Sequence, residues 1–340
     1  MAETTRYTQE SETGAPPKGR RFWSEVGLRL VKEKPLGMVG LVLVAGLFFT
    51  GIFADLAWLG MPDVGLAPEG YNVMHMIDRL SPPCAEYPLG TDHLGRDMLS
   101  RIIHGARLSM IVGVVATALS TSIATAIGLM CAYFGGKFDL IVQRFVDAWI
   151  CFPALVILLT MMAIMGPGLA QILLVLGIAG GIGTSRFQRS LVFAIKENEY
   201  VHASEALGAG RARIIMRHLL PNIMPTVIVI FTIGMGVTIL TEASLSFLGL
   251  GLPPPYPSWG GMISGEGAAH MLRAPWLALW PGLALTLAVF GINVLGDAMR
   301  DLLDPKLRGG VGTYRLDKVE KIRAKLVKKL QEAELQGQKN

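Results

Sequence analysis

The stretch ENEYVHASEALGAGRARIIMRHLLPN, Glu197 to Asn222, is polar, lies between two blocks of apolar residues, and governs the reading of both. Glu199 to Leu207 suits one short helix. Gly208 follows, and a residue without a Cβ allows a backbone turn that other residues resist. Arg211 to Leu220 suits a second helix. Pro221 and Pro225 then open the next apolar block, near a helix start, where a missing amide donor costs little. A helix–turn–helix held between two membrane-length blocks is a lever just below a membrane, with a rigid tip that a partner can receive.

Outward from this lever the hydrophobic residues do not recur with a period of two or 3.6. They fall into blocks about twenty residues long, enough for a helix to cross roughly 30 Å of hydrocarbon. The expected fold is an all-α polytopic membrane bundle of six spanning helices at about 36–57, 108–134, 140–165, 169–187, 223–248 and 276–299. Loop 58–107 lies on one side of the membrane, and 188–222 lies on the other. Gly166-Pro167-Gly168 ends the third helix, and Gly177, Gly180, Gly181 and Gly183 crowd the fourth. Small residues let neighbouring helices approach where no hydrophobic force drives them together. The chain divides into a polar arm (1–35), a transmembrane unit (36–308) and a tail (309–340).

Composition agrees. Hydrophobic residues make up 51% and charged residues 17% of the 340, against about 25% charged in an ordinary soluble domain. The net charge of +5 is no sign of nucleic-acid binding, because basic residues in a membrane protein gather on the cytoplasmic side. Arg20, Arg21, Arg29, Lys32 and Lys34 precede the first helix. Arg186, Arg189, Lys196, Arg211, Arg213 and Arg217 surround the lever, and the tail is lysine-rich. Both termini and the lever are therefore expected in the cytoplasm, with 58–107 outside despite Arg79, Arg96, Arg101 and Arg107. The polar first 35 residues show no cleavable signal, and the apolar run after them is long enough to remain as a span. In the tail, Leu316, Val319, Ile322, Leu326 and Leu330 keep helical spacing among basic residues. Such a helix is either a solvated surface element or one that lies on anionic lipid or a cytoplasmic partner. Cys84, Cys131 and Cys151 have no metal-ligand spacing and form no disulfide framework.

The lever resembles the EAA loop of ABC importer permeases, in which EAA, a glycine and Ile-x-Leu-Pro follow at fixed spacing. His202-Ala203-Ser204 aligns with EAA, Gly208 with the glycine and Leu220-Pro221 with the final pair. His202, Ser204 and His218 depart from the pattern, and the glycine-to-proline spacing is kept. Two more stretches resemble the dipeptide/oligopeptide (DppC/OppC-type) branch: YPLGTDHLGRDMLSRIIHGARLSM, Tyr87 to Met110, and WLALWPGLALTLAVFGINVLGDAMRDLLDPKLR, Trp276 to Arg308. The likeness runs from about Lys34 to Arg308.

That resemblance implies a heterodimer with a homologous B-type permease, each chain giving six helices around one pathway in a bacterial or archaeal cytoplasmic membrane. It implies two cytoplasmic ATPase subunits that bind the ATP and Mg, so that this chain holds no cofactor, and an external solute-binding protein. His202, Ala203, Ser204, Glu205, Gly208, Arg211, His218, Leu220 and Pro221 would form the ATPase-coupling loop. Peptides are the commonest cargo of such permeases, with nickel chelates or other small solutes as the alternative. Alternating access would be a population shift, which nucleotide drives by favouring one state.

The remaining polar positions have plainer explanations. Asp92 suits the cap of a short helix whose first turn holds Asp97. His93, Asp97 and His104 have spacings a metal site could use, but nearby arginines favour Asp–Arg pairing in a structural helix. No metal is expected. Polar groups inside spans each ask for a partner or a path. Asp147 is placed to pair with Arg144, and Asp297 with Arg300. Glu242 has no nearby cation in sequence, so it either lines the pathway, meeting a peptide amino terminus, or hydrogen-bonds to a neighbouring helix. Gly135-Gly136-Lys137 lacks the spacing of a phosphate-binding loop. Ser264 with His270 lacks that of a nucleophile elbow, so no catalytic residue is expected. The rival account, a gradient-driven secondary transporter, commonly carries an inverted repeat, and the two halves here show none.

Overall fold

A computed structural model describes residues 34–55 and 65–303. The expectations for the arm before Lys34 and for the 309–340 tail fall outside these residues. Among the described residues the regular structure is helical, apart from one isolated backbone bridge between Thr91 and Asp97.

Helix α1 (Pro35–Ile52) starts on a proline, whose fixed φ and absent donor suit a first turn. Helix α2 (Met98–Phe134) carries one π-helical turn at Val112–Ala116. Next come α3 (Gly136–Ile150), α4 (Ala154–Met165) and α5 (Leu169–Lys196). The short α6 (Glu199–Ala206) leads to α7 (Arg211–Phe247), and a short helix with a central π-helical turn, α8 (259–270), precedes α9 (Trp276–Leu303). Helices α1, α2, α5, α7 and α9 are long and apolar enough to cross a membrane, and α3 with α4 make a sixth candidate bent by 91°.

That bend corrects the expectation of one continuous helix over 140–165. Pro153 stands between the two pieces with an extended ψ of 127°. Proline lacks the amide hydrogen and crowds the preceding turn, so an unsupported helix ends there. Pro225 and Pro281, by contrast, sit inside α7 and α9 without ending them. The other boundaries differ because hydropathy stops where charges begin, whereas backbone hydrogen bonding does not. Helix α2 begins at Met98 rather than near 108, and α5 runs on to Lys196 rather than 187. The helix starting at Arg211 continues into the fifth span without a break.

Glycines set the closest helix approaches. A Cβ at Gly181 would lie 2.7 Å from the Cβ of Ile123, and one at Gly128 would lie 2.7 Å from the amide of Arg189, so α2 and α5 touch backbone to side chain along their length. Gly40 on α1 faces Gly291 and Leu295 on α9 in the same way. Burial then forms successive layers. Trp259, Met98, Met235, Ile239 and Leu277 pack in one, and Val112, Met162, Ile172 and Leu245 in the next. Leu129, Val192, Val201, Ile214, Leu219 and Ile223 form the layer that holds the lever. Val42, Ile141, Phe145, Leu279 and Phe290 stay exposed on the outside of the bundle, as side chains facing lipid tails or a second membrane chain do.

Candidate coupling elbow and outer charge cluster

The lever folds as a helical elbow. Helix α6 ends at a Gly208 with φ +79°, the left-handed conformation in which a Cβ is strained. The amide of Ala209 donates to the carbonyl of Ser204 at 3.1 Å and that of Gly208 to Glu205 at 2.9 Å. This double closure is the Schellman pattern, and it satisfies carbonyls that a helix end leaves open. No atom of the described residues lies within 4 Å of a Cβ built on Gly208, so its backbone geometry rather than its space calls for glycine. Leu207, at the tip, is 89% exposed, and Tyr200 and Met216 are exposed on the elbow as well.

The elbow is anchored on its other face. Val201, Ile214 and Leu219 are buried against Leu129 of α2 and Val192 of α5. Lys196 Nζ donates to the carbonyls of Ala132 and Tyr133 at 3.2 and 3.1 Å, a cation placed on the open carbonyls that end α2. Arg189 closes a two-pronged bond on Asp139, tying α5 to α3. The elbow is thus packed against α2 and α5, and α5 is tied to α3.

The nine expected coupling residues divide by position. Ala203, Glu205, Gly208, Arg211 and Pro221 are exposed, and Ser204, His218 and Leu220 are half-buried. His202, which stands where the motif has glutamate, is exposed and lies 3.9 Å from Glu205 on the same helix. The Tyr200 and His218 rings face each other across the elbow at 6.4 Å.

Deeper in the bundle, the α3–α4 break opens a cavity of about 540 Å³ lined by Trp149, Phe152, Ser120, Thr184, Thr238 and Thr241. Glu242 does not line it. Its carboxylate is buried and accepts from Ser246 Oγ at 2.6 Å, one turn along the same helix. Asp147 meets Arg186 of α5 as well as Arg144, a cross-helix partner that sequence spacing did not supply. Among the described residues Asp297 and Arg300 form no ion pair. The neighbouring Asp301 instead takes Lys34 at 2.6 Å, joining the ends of α9 and α1.

At the other end of α2 the charged residues converge differently from expectation. Asp97, not Asp92, caps the helix, accepting from the amides of Leu99 and Ser100. Asp92 accepts from the amides of Leu94 and Arg96 and pairs with the Arg96 side chain at 2.5 Å. His93, Asp97 and His104 do not come together: His104 reaches Asp55 at 3.1 Å, whereas His93 reaches Glu266 of α8 at 3.3 Å. The set close enough to share an ion is Asp92, His93 and Glu266. Arg96 already bonds both carboxylates, at 2.5 and 2.7 Å, and so supplies the positive charge there. Asp55 and Glu266 escaped the sequence reading because each meets its partners from a distant element.

Comparison with known proteins accords with this arrangement. Residues 124–309 match the family described as "Binding-protein-dependent transport system inner membrane component". A dipeptide transport system permease protein DppC from Alkalihalophilus pseudofirmus is 36% identical over 87% of this chain and 96% of its own length. The oligopeptide transport system permease protein OppC of Bacillus subtilis is 35% identical over 86% of this chain and 92% of its own. A glutathione transport system permease protein GsiD from Pectobacterium atrosepticum is 35% identical over 85% and 93%. With the elbow, the apolar helices and these relatives in hand, the chain belongs to the inner-membrane components of binding-protein-dependent transport systems.

Proposed function

We propose that this chain is one of two membrane-spanning permease subunits of an ATP-driven peptide importer, with the Gly208 elbow as its coupling helix. The observation that carries the proposal is the elbow itself: an exposed apolar tip at Leu207, fixed by a Schellman turn and rooted in the layer between α2 and α5. Such a tip fits a groove on a cytoplasmic ATPase. Arg186, Arg189, Lys196, Arg211, Arg213 and Arg217 cluster on the elbow side, which supports a cytoplasmic elbow and cytoplasmic termini. The membrane is the cytoplasmic membrane of a bacterium or archaeon.

In this account a homologous permease completes the pathway, two ATPase subunits bind ATP and Mg, and an external solute-binding protein delivers cargo. Closure of the ATPases moves the elbow, and α2, α3 and α5 move with its anchors. Relatives named for dipeptide, oligopeptide and glutathione transport support a peptide-like cargo. The cavity at the α3–α4 break supplies an uncharged wall for the pathway.

The test is to tag the chain, purify it gently from its native membrane, identify what co-purifies and assay ATP hydrolysis. A second permease and ATPase chains are expected, with hydrolysis weakened by Gly208→Trp. A lone, ATP-silent chain that moves solute after reconstitution would instead favour a gradient-driven transporter.

A further inference from the structure

Arg101 is the unusual member of the outer charge cluster. It is 4% exposed, yet it makes one long hydrogen bond among the described residues, from Nη1 to the carbonyl of Tyr71 at 3.4 Å. Its Nε has no hydrogen-bond partner there. Asp92 and Glu266 make only long ion pairs with it, at 3.6 and 3.9 Å and beyond hydrogen-bonding range, while both hydrogen-bond to Arg96. A guanidinium has five N–H donors in a planar fork. Leaving such donors buried and unfilled costs more than a typical hydrogen bond contributes.

The Arg101 side chain lines a cavity of about 590 Å³ that it shares with Ser246, Ser258, Tyr256, Glu266 and His270. The hydroxyls of Ser258 and Tyr256 thus share the cavity wall with the guanidinium. The one carboxylate in the wall, Glu266, has Arg96 and His93 Nδ1 as its nearer partners, at 2.7 and 3.3 Å. Among the described residues the Arg101 Nε meets no hydrogen-bond acceptor in this cavity. A planar pair of oxygens is the natural complement of that fork.

We propose that this cavity is a subsite for the carboxylate of the transported solute, with Arg101 as its anchor and the hydroxyls of Ser258 and Tyr256 as secondary donors. The inference rests on the peptide-importer reading and deepens it: the cargo would be recognised by a free carboxyl end after it leaves the binding protein.

The complete transporter, with both permeases, its ATPases and its solute-binding protein, is reconstituted in proteoliposomes. ATP-driven uptake of alanyl-alanine is compared with that of its C-terminal amide. The same binding protein serves every arm, so a change in the acid-to-amide ratio on mutating this chain belongs to this chain. Arg101→Gln is expected to lower the ratio by about tenfold, the loss of one charge-assisted hydrogen-bonded contact, with amide uptake unchanged. Arg101→Lys, which keeps the charge but not the fork, is expected to recover part of it and serves as the readout if the glutamine variant fails to assemble. A ratio that both variants leave alone, including equal losses for both peptides, would mean a structural guanidinium or a resident free anion and would overturn the inference. An unmodified transporter that moves neither peptide on ATP would overturn the peptide reading itself, and this subsite with it.

Discussion

Arg189 of α5 holds Asp139 of α3 through Nε at 2.6 Å and Nη2 at 2.5 Å, a fork-to-fork pair that ties the helix leading to the elbow to the start of the broken span. Both side chains are mostly buried, at 27% and 14% exposure. Breaking such a pair leaves a poorly solvated charge behind. Asp139→Asn is therefore expected to cost about 2 kcal/mol of stability, read as a lower detergent melting temperature of the assembled complex. The double variant with Arg189→Met is expected to recover part of that loss, because it removes the stranded cation too. Strict additivity of the two single losses would show that the pair does not couple.

Gly208 tests the elbow more directly. Its φ of +79° strains any Cβ, but nothing among the described residues stands within 4 Å of that position. Gly208→Ala should thus cost about 1 kcal/mol locally, leave membrane insertion unchanged and lower cargo-stimulated ATP hydrolysis only modestly. Gly208→Trp adds bulk at the tip and should abolish stimulation while leaving the bundle folded. Full stimulation by the tryptophan variant would rule out docking at this turn.

Glu242 is buried and bonded to Ser246 within its own helix. Glu242→Gln keeps the size and an acceptor oxygen, so transport is expected to stay close to wild type. Glu242→Ala opens a hole beside Ser246 and should cost roughly 2 kcal/mol. Loss of uptake in the glutamine variant, with normal expression and melting, would restore the pathway role.

The α2–α5 seam depends on glycine for space. At Gly181 an added Cβ would fall 2.7 Å from the Ile123 Cβ. Gly181→Val should destabilise by roughly 1–3 kcal/mol and lower the yield of assembled complex. At Gly183 nothing among the described residues lies within 4 Å, so Gly183→Ala should be nearly silent in the same assay.

Much of this architecture was legible from the chain alone. Blocks of apolar residues locate spans, because unsatisfied backbone in hydrocarbon is so costly that helices are almost obligatory. Gly208 marked the elbow, since local backbone strain is a property of a single residue. Hydropathy could not locate helix ends, however, because α5 continues through Arg186, Arg189 and Lys196 on hydrogen bonds indifferent to side-chain polarity. Nor did it show that Pro153 would break its helix whereas Pro225 would not. That outcome depends on what neighbouring helices offer to the freed carbonyls.

The sequence by itself determined that this is a multi-helix membrane protein with a polar elbow, because burial in lipid and strain at a glycine act locally along the chain. Only the tertiary structure decided which charges meet. Asp92 and Arg96 are joined by Glu266 from 170 residues away, Asp147 takes Arg186 besides Arg144, and Asp301 takes Lys34. Ion pairing is a matter of distance in space, and chain spacing limits that distance only within a turn or two of one helix.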